Sequence, residues 1–382
     1  MPRRLRLGMV GGGEGAFIGA VHRAAARLDD RYELVASAFS SDPERSRASA
    51  AALHVAPDRA YPDFASMAAA EARRPDRVDV VAIVTPNHLH HGPARLFLET
   101  GINVFCEKPL CHTLDDALDL RRVAASSPAL FALAHTYTGY PLVRQARAMA
   151  RAGELGEIRV VQVEYAQEWL ATPLEQSGQK QASWRTDPAR SGAAGSVGDI
   201  GTHAFNLVEF VTGLRVESLA AELSTFVPGR RLDDDARMLL RLEGGARGAL
   251  WCSQVAVGQG NALRLRVYGS KGGLEWAQEE PNTLRFTPLG EPSRLIQRAG
   301  PGTGPAATHA TRLPGGHPEG YFEAFALLYR DFAEQVWAKL EARAPDPASL
   351  LVPGIEDGVR GMQFIAAAVA SSREDAAWRR LA

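Results

Sequence analysis

The run Gly11-Gly12-Gly13-Glu14-Gly15-Ala16 lies between an apolar stretch, Leu5 to Val10, and an alanine-rich one, Ala16 to Leu28. Read as a short buried strand and a helix, these stretches leave the glycines as the turn joining them. Glycines allow a ligand close to the main chain, and the start of the next helix offers unpaired N–H groups at the positive end of its dipole. A bare G-x-G-x-x-G/A pattern is weak, since a flexible turn looks the same. Its place between strand and helix makes it a candidate cradle for a dinucleotide pyrophosphate. Read as Gly11-x-Gly13-x-x-Ala16, with Gly15 inside it, the loop continues through Phe17 and Ile18 and exceeds the minimal form.

The same alternation continues downstream. Glu33 to Phe39, Val78 to Val84 and Ile102 to Cys106 read as strands. Pro43 to Leu53, Pro93 to Thr100 and Leu114 to Ala125 read as helices, with Gly101 at the position of a C-cap. Continuous apolar strands between helices predict an α/β fold with a doubly wound parallel sheet, a Rossmann domain over residues 1–136. From 137 to 382 the pattern changes. Ile158 to Tyr165, Ser218 to Phe226, Ala236 to Leu242, Ala246 to Val255, Leu263 to Tyr268 and Gly273 to Trp276 read as strands, two of them forming a hairpin around Glu243-Gly244-Gly245. This predicts an α+β domain with a large, mostly antiparallel open sheet. Few long helices remain to cover it, so one face is expected to meet another subunit in a homo-oligomer. Pro288 to Pro314 reads as an irregular excursion, and Glu319 to Ala338 and Ile355 to Ser371 as helices.

With 382 residues and 46% hydrophobic residues, the chain has length and apolar content for two cores. A formal net charge of −1 with no concentrated basic face argues against nucleic acid or an anionic membrane as partner. Small molecules fit better. The apolar stretch after Arg3, Arg4 and Arg6 is too short for a signal-peptide core, and no run approaches the roughly 18 residues of a membrane span. Three cysteines, Cys106, Cys111 and Cys252, fit a reducing cytoplasm.

Several residues carry candidate chemistry. The end of the second strand, Phe39-Ser40-Ser41, lacks the acidic residue that often binds an adenosine ribose. Ser40 and Ser41 can bond a hydroxyl or a phosphate, and Arg45 can meet a 2′-phosphate, so NAD and NADP both remain open. Ser41-Asp42-Pro43-Glu44 also reads as a helix cap. Thr85-Pro86-Asn87 ends an apolar strand where such a sheet binds ligand, with Thr85 and Asn87 candidates for the nicotinamide ribose. His90 follows as a further candidate for the cofactor, with helix capping or packing as its plainer role. His88, His90 and His91 lack the cysteine or acidic partners of a zinc site, so no metal is expected. In Phe105-Cys106-Glu107-Lys108-Pro109, Lys108 puts an amine where a hydride-transfer site needs proton handling. Asp199 and His203 stand four apart on a candidate helix and so share a face, after the small-residue run Ser191 to Gly195.

Together, the glycine loop, Thr85-Pro86-Asn87, Glu107-Lys108-Pro109, Trp184-Arg185 and Asp199-Ile200-Gly201-Thr202-His203 resemble the Gfo/Idh/MocA oxidoreductases over nearly the whole chain. The resemblance implies NAD(P)-dependent oxidation or reduction at a sugar or cyclitol carbon. It implies Lys108, Asp199 and His203 around the reacting carbinol, His203 as general base, and Glu107, Trp184 and Arg185 toward the cofactor. Gln167-Glu168-Trp169 and Ser183-Trp184-Arg185 lean toward levoglucosan dehydrogenase-like members. Tyr137, Trp169 and His317 are further candidates for a sugar pocket, each with a plain packing alternative. A glycosidase working by transient oxidation and a non-catalytic dinucleotide sensor are the rival functions.

Overall fold

The computed structural model describes residues 3–381, which fall into two compact units. The first combines the described residues up to Thr136 with Phe325–Val359; the second combines Tyr137–Ala324 with the described residues from Arg360 onward. The expected division was into two contiguous stretches, 1–136 and 137–382.

In the first unit, β1 (Leu5–Gly11), β2 (Tyr32–Ala38), β3 (Val80–Val84), β4 (Asn103–Cys106) and β5 (Phe131–Leu133) form a sheet ordered β2-β1-β3-β4-β5, parallel throughout. Every residue of β3 and β4 is buried, as expected of strands covered on both faces. The connections carry α1 (Phe17–Leu28), α2 (Pro43–Ala52), α3 (Phe64–Glu71), α4 (His91–Glu99) and α5 (Leu114–Ser126). Asp42 caps α2 by accepting from the Glu44 and Arg45 N–H groups, with Pro43 in the first turn. After α4, Gly101 adopts φ 71°, and the Gly101 and Ile102 N–H groups return to the Leu98 and Phe97 carbonyls. That is a Schellman stop, and it releases the chain into β4. The returning segment 325–359 supplies Pro353, whose carbonyl accepts from Leu133 of β5 at 2.8 Å.

In the second unit, nine strands form one sheet: β6 (Ile158–Ala166), β7 (Val216–Ser224), β8 (Asp235–Leu242), β9 (Arg247–Ser253), β10 (Ala262–Gly269), β11 (Gly272–Ala277), β12 (Thr283–Pro288), β13 (Arg294–Gln297) and β14 (Arg379–Arg380). Their order is β13-β12-β11-β10-β6-β9-β8-β7-β14, antiparallel except where β6 runs parallel to β9. The expected β8–β9 hairpin forms, with Gly244 and Gly245 at positive φ in its turn. Helices α6 (Pro141–Arg151), α7 (Lys180–Arg185), α8 (Pro188–Ser191), α9 (Thr202–Thr212) and α10 (Pro305–Ala310) also belong here. The long α11 (Tyr321–Leu340) and α12 (Ile355–Arg373) each run from one unit into the other.

Alternation divides the large sheet. Val161, Val163, Leu240, Leu250 and Leu265 are buried on the face contacted by α9, while Val160, Gln162, Leu239, Arg264 and Tyr268 point to the exposed face. A shallow depression of about 520 Å³ lies on that outer face, lined by Glu164, Glu222, Arg237, Leu239, Trp251 and Arg266 among others.

The stretch Pro288 to Pro314, expected to be irregular, contains β13 and α10. Within it Arg298 is buried, donating to Asn282, the Leu313 carbonyl and Glu319, while the Glu319 carboxylate takes the Arg312 and Leu313 N–H groups. Those bonds order a segment whose own apolar pattern is too sparse to announce structure.

Candidate functional site

In the first unit the order of the sheet reverses between β1 and β3, and the ends of those strands meet. Gly11 pairs with Val84, and a Cβ on Gly11 would lie 2.8 Å from Thr85 Cγ2. Immediately beyond, Gly12 and Gly19 cross so closely that a Cβ on Gly19 would lie 2.4 Å from Gly12 Cα. Only glycine at both places lets α1 start against the turn. Arg23 Nη1 donates to the Gly12 carbonyl at 2.6 Å, and Ser49 Oγ accepts from the Glu14 N–H at 3.1 Å, fixing the loop from both sides. Ala16 occupies the N-cap without a side-chain bond, so the first turn of α1 is not closed by its own cap. Gly15 and Phe17 are exposed, and Gly13, Ala16 and Ile18 half-buried.

Beside the loop, Ser40 Oγ accepts from the Asp42 N–H at 3.1 Å, while Ser41 and Arg45 are exposed. Asn87 is buried, and the Thr85 hydroxyl donates to the Leu89 carbonyl. His90 was expected to contact cofactor, but its ring is wholly buried. Its nitrogens lie 2.8 Å from the Pro109 and Thr85 carbonyls, so the ring joins the Thr85-Pro86-Asn87 turn to the Glu107-Lys108-Pro109 turn. The plainer packing role is the one the structure gives it.

Lys108, half-buried, follows β4 and precedes a cis peptide to Pro109. The Glu107 carboxylate accepts the Lys108 N–H at 3.0 Å with one oxygen, and with the other it lies 2.8 Å from His22 Nε2. Burial alone would raise the proton affinity of Glu107. The bond to His22 and the His22 and Lys108 charges outweigh burial and hold the carboxyl below its usual range. His135 lies in the same environment; burial, and next the Lys108 charge, push its imidazole down to about 3.

In the second unit, Asp233 organises the approach to Asp199. It accepts from the Gly195 N–H, the Ser196 hydroxyl and the Val197 N–H at 2.6, 2.7 and 2.9 Å. A Cβ on Gly195 would lie 2.2 Å from the Asp233 carbonyl oxygen, so only glycine fits there. The chain then makes a π-helical turn, Val197–Gly201, that leads into α9. Asp199 therefore sits on a widened turn and not on the regular helix expected. Its Oδ2 takes two donors, Arg185 Nε at 3.0 Å and Gln254 Nε2 at 2.9 Å. The Arg185 guanidinium also lies 4.4 Å from the centre of the Trp184 ring.

His203, in the first turn of α9, is 7% exposed and stands edge-on to Tyr137 with ring centres 4.7 Å apart. Tyr137 bonds Tyr165 through their hydroxyls, Tyr165 donates to Asn261, and Asn261 accepts from Gln167, which accepts from the Trp169 indole. The structure thus links Tyr137 and Trp169 in one polar chain beside His203. His317 is exposed in a turn, where its carbonyl, not its imidazole, is engaged, by Arg298. Gln254, Asn261, Tyr165 and His22 escaped the sequence reading. A glutamine at a strand end and a histidine within an alanine-rich helix carry no spacing signal.

The three cysteines are buried and free, and burial raises their thiols, which makes nucleophilic chemistry from them a poor fit. Among the described residues no group of three or more His, Cys, Asp or Glu is arranged for a metal ion.

A parallel sheet with a glycine crossing at its reversal point defines a Rossmann nucleotide-binding unit. The sequence agrees: residues 5–135 match the profile described as "Oxidoreductase family, NAD-binding Rossmann fold", and residues 143–275 match the GFO/IDH/MocA C-terminal domain. The chain belongs to the GFO/IDH/MocA oxidoreductase family. It is 52% identical to a solved oxidoreductase from Sinorhizobium meliloti, with TM-score 0.91, covering 99% of this chain and 100% of that one. An inositol dehydrogenase homologue from Azotobacter vinelandii, solved with NADH and myo-inositol, is 37% identical with TM-score 0.91 over 100% of this chain and 98% of that one. Levoglucosan dehydrogenase of Pseudarthrobacter phenanthrenivorans is 26% identical over 74% of this chain and 76% of its own. Identity along the chain thus leans to the inositol dehydrogenase homologue, where short motifs leaned to levoglucosan dehydrogenase.

Proposed function

We propose that this protein transfers hydride between a nicotinamide cofactor and a carbon bearing a secondary hydroxyl in a cyclitol, sugar, anhydrosugar or glycoside. The carrying observation is Asp199, held through one oxygen by Arg185 and Gln254, four residues before His203, in a chain whose other unit ends β4 in Glu107-Lys108-Pro109. The myo-inositol named for the A. vinelandii structure and the levoglucosan in the other relative's name support the substrate class.

The first unit binds the dinucleotide in this reading. The tight glycine crossing and the uncapped start of α1 suit a pyrophosphate, so Gly11, Gly13, Gly15, Ala16, Phe17 and Ile18 line it. Ser40, Ser41 and Arg45 meet the adenosine ribose, leaving room for NAD or NADP. Thr85, Pro86, Asn87, Glu107 and Lys108 border the nicotinamide end, and the family resemblance adds Trp184 and Arg185 as cofactor contacts. When bound, the cofactor accepts or returns the hydride. His203 takes the hydroxyl proton, Asp199 orients the alcohol, and Lys108 holds the oxygen and shares the proton. Tyr137 and Trp169 bound the sugar ring, with His317 at the rim.

We also assign the protein to the cytoplasm, on its free buried thiols, and to a homo-oligomer formed through the outer face of the large sheet.

Appearance of reduced cofactor tests the activity, with NAD and NADP tried separately against cyclitols, aldoses, anhydrosugars and glycosides. Turnover is expected with at least one. Lys108→Ala and His203→Ala should each lower kcat by about 10²–10⁴-fold, the usual scale of acid–base help, with cofactor binding retained. A panel without turnover, or near-normal kcat in Lys108→Ala, would refute the assignment.

A further inference from the structure

Beneath Lys108 lies a buried polar chain that the reaction as described does not use. His22 on α1 is wholly buried, Tyr329 on α11 is 1% exposed and Glu107 is 7% exposed. The Tyr329 hydroxyl lies 2.6 Å from His22 Nδ1, His22 Nε2 lies 2.8 Å from Glu107 Oε1, and Glu107 Oε2 accepts the Lys108 N–H at 3.0 Å. Around the imidazole stand Phe105, Phe325 and Tyr329, with ring centres 5.8, 4.7 and 5.7 Å away. The Tyr329 carbonyl in turn accepts from the Tyr32 hydroxyl at 2.9 Å.

The ionised carboxylate sets the direction of its own bonds. Burial keeps the Tyr329 phenol protonated, so it holds Nδ1 as a neutral hydroxyl partner. An ionised carboxylate can only accept, so His22 Nε2 carries a proton and donates to Glu107. The aromatic box would hold an apolar side chain without any of these demands. Keeping a histidine and a carboxylate there makes sense only if the charge and its direction matter to what lies above.

We propose that His22 is a positioning residue for Lys108, acting by holding the Glu107 carboxylate charged and aimed at the lysine's main chain. A proton relay is the competing use of such a chain, but this one ends at a buried phenol, Tyr329. The inference rests on Lys108 being the proton-handling amine. It ties α1, the helix that begins at the glycine loop, to the residue that meets the alcohol.

Competitive acetylation of the whole protein read by mass spectrometry tests it without a substrate. Lys108, Lys180, Lys271 and Lys339 are the only lysines, and the exposed Lys180 and Lys271 serve as internal references. Losing the neighbouring negative charge removes an electrostatic partner of Lys108 and should make its side chain more reactive. His22→Leu and the isosteric Glu107→Gln should therefore speed Lys108 labelling by about three- to tenfold, the scale of a nearby charge. His22→Gln, which keeps a donor for Glu107, should stay within about twofold of the parent. Unchanged labelling in Glu107→Gln would overturn the proposal, as would equal changes in His22→Gln and His22→Leu, which would mark packing alone. If His22→Leu does not fold, Glu107→Gln and His22→Gln decide the matter. Failure of the Lys108 assignment registers separately, as retained turnover in Lys108→Ala.

Discussion

His135 shows how one buried group makes the first unit sensitive to acid. Its imidazole is 2% exposed and is driven to about 3 by burial and by the Lys108 charge. An unfolded chain takes up a proton here as pH falls through about 6.5, while the folded chain resists until about 3. Stability is therefore present above the unfolded value and lost progressively on acidification through that window. Between pH 7 and pH 5 this residue alone should remove about 2 kcal/mol, and His135→Gln should flatten the dependence measured by urea unfolding. Equal slopes in parent and variant would contradict it. Nothing in the local sequence marks this histidine, because its burial is created by segments far along the chain. Lys108, Asp199 and His203 stood out as candidates because their motifs are local in the sequence. Gln254, which holds Asp199, did not, since it arrives from the end of β9.

At the scale of elements, the crossing of Gly12 and Gly19 sets where α1 can start. Gly19→Ala puts a methyl 2.4 Å from Gly12 Cα and its carbonyl oxygen, so the helix must retreat from the turn. A cost of about 1–3 kcal/mol follows from overpacking, together with weaker cofactor binding, both measurable by thermal unfolding and NADH fluorescence titration. Unaltered affinity would show that the loop tolerates the shift. Strands β1, β3 and β4 were readable because a parallel strand buried on both faces is written as a continuous apolar run. β5, β12, β13 and β14 were missed for the opposite reason. They are two to six residues long and are defined by the partners they bond. The π turn at Val197–Gly201 was missed as well, since an i,i+4 pair looks the same on either kind of turn.

For the whole molecule, the outer face of the nine-stranded sheet mixes apolar and charged groups in a way suited to a second copy. Leu239 is 59% exposed near Trp251, while Arg264 and Arg266 lie within 3.6 and 3.3 Å of Glu164. Leu239→Asp should shift a homo-oligomer toward monomer in analytical ultracentrifugation while leaving the fold intact. A parent chain that sediments as a monomer at micromolar concentration would remove that expectation. The sequence anticipated an open face from the shortage of long helices; it did not anticipate that α11 and α12 would each be shared between units. The return of 325–359 to the first unit has a practical consequence for anyone building chimaeras. A cut near residue 136 yields a nucleotide-binding fragment without Tyr329 and Pro353, the partners of His22 and of β5. Grafting that unit onto a relative takes two splices, with the later segment carried along, or the transplanted lysine arrives without its foundation.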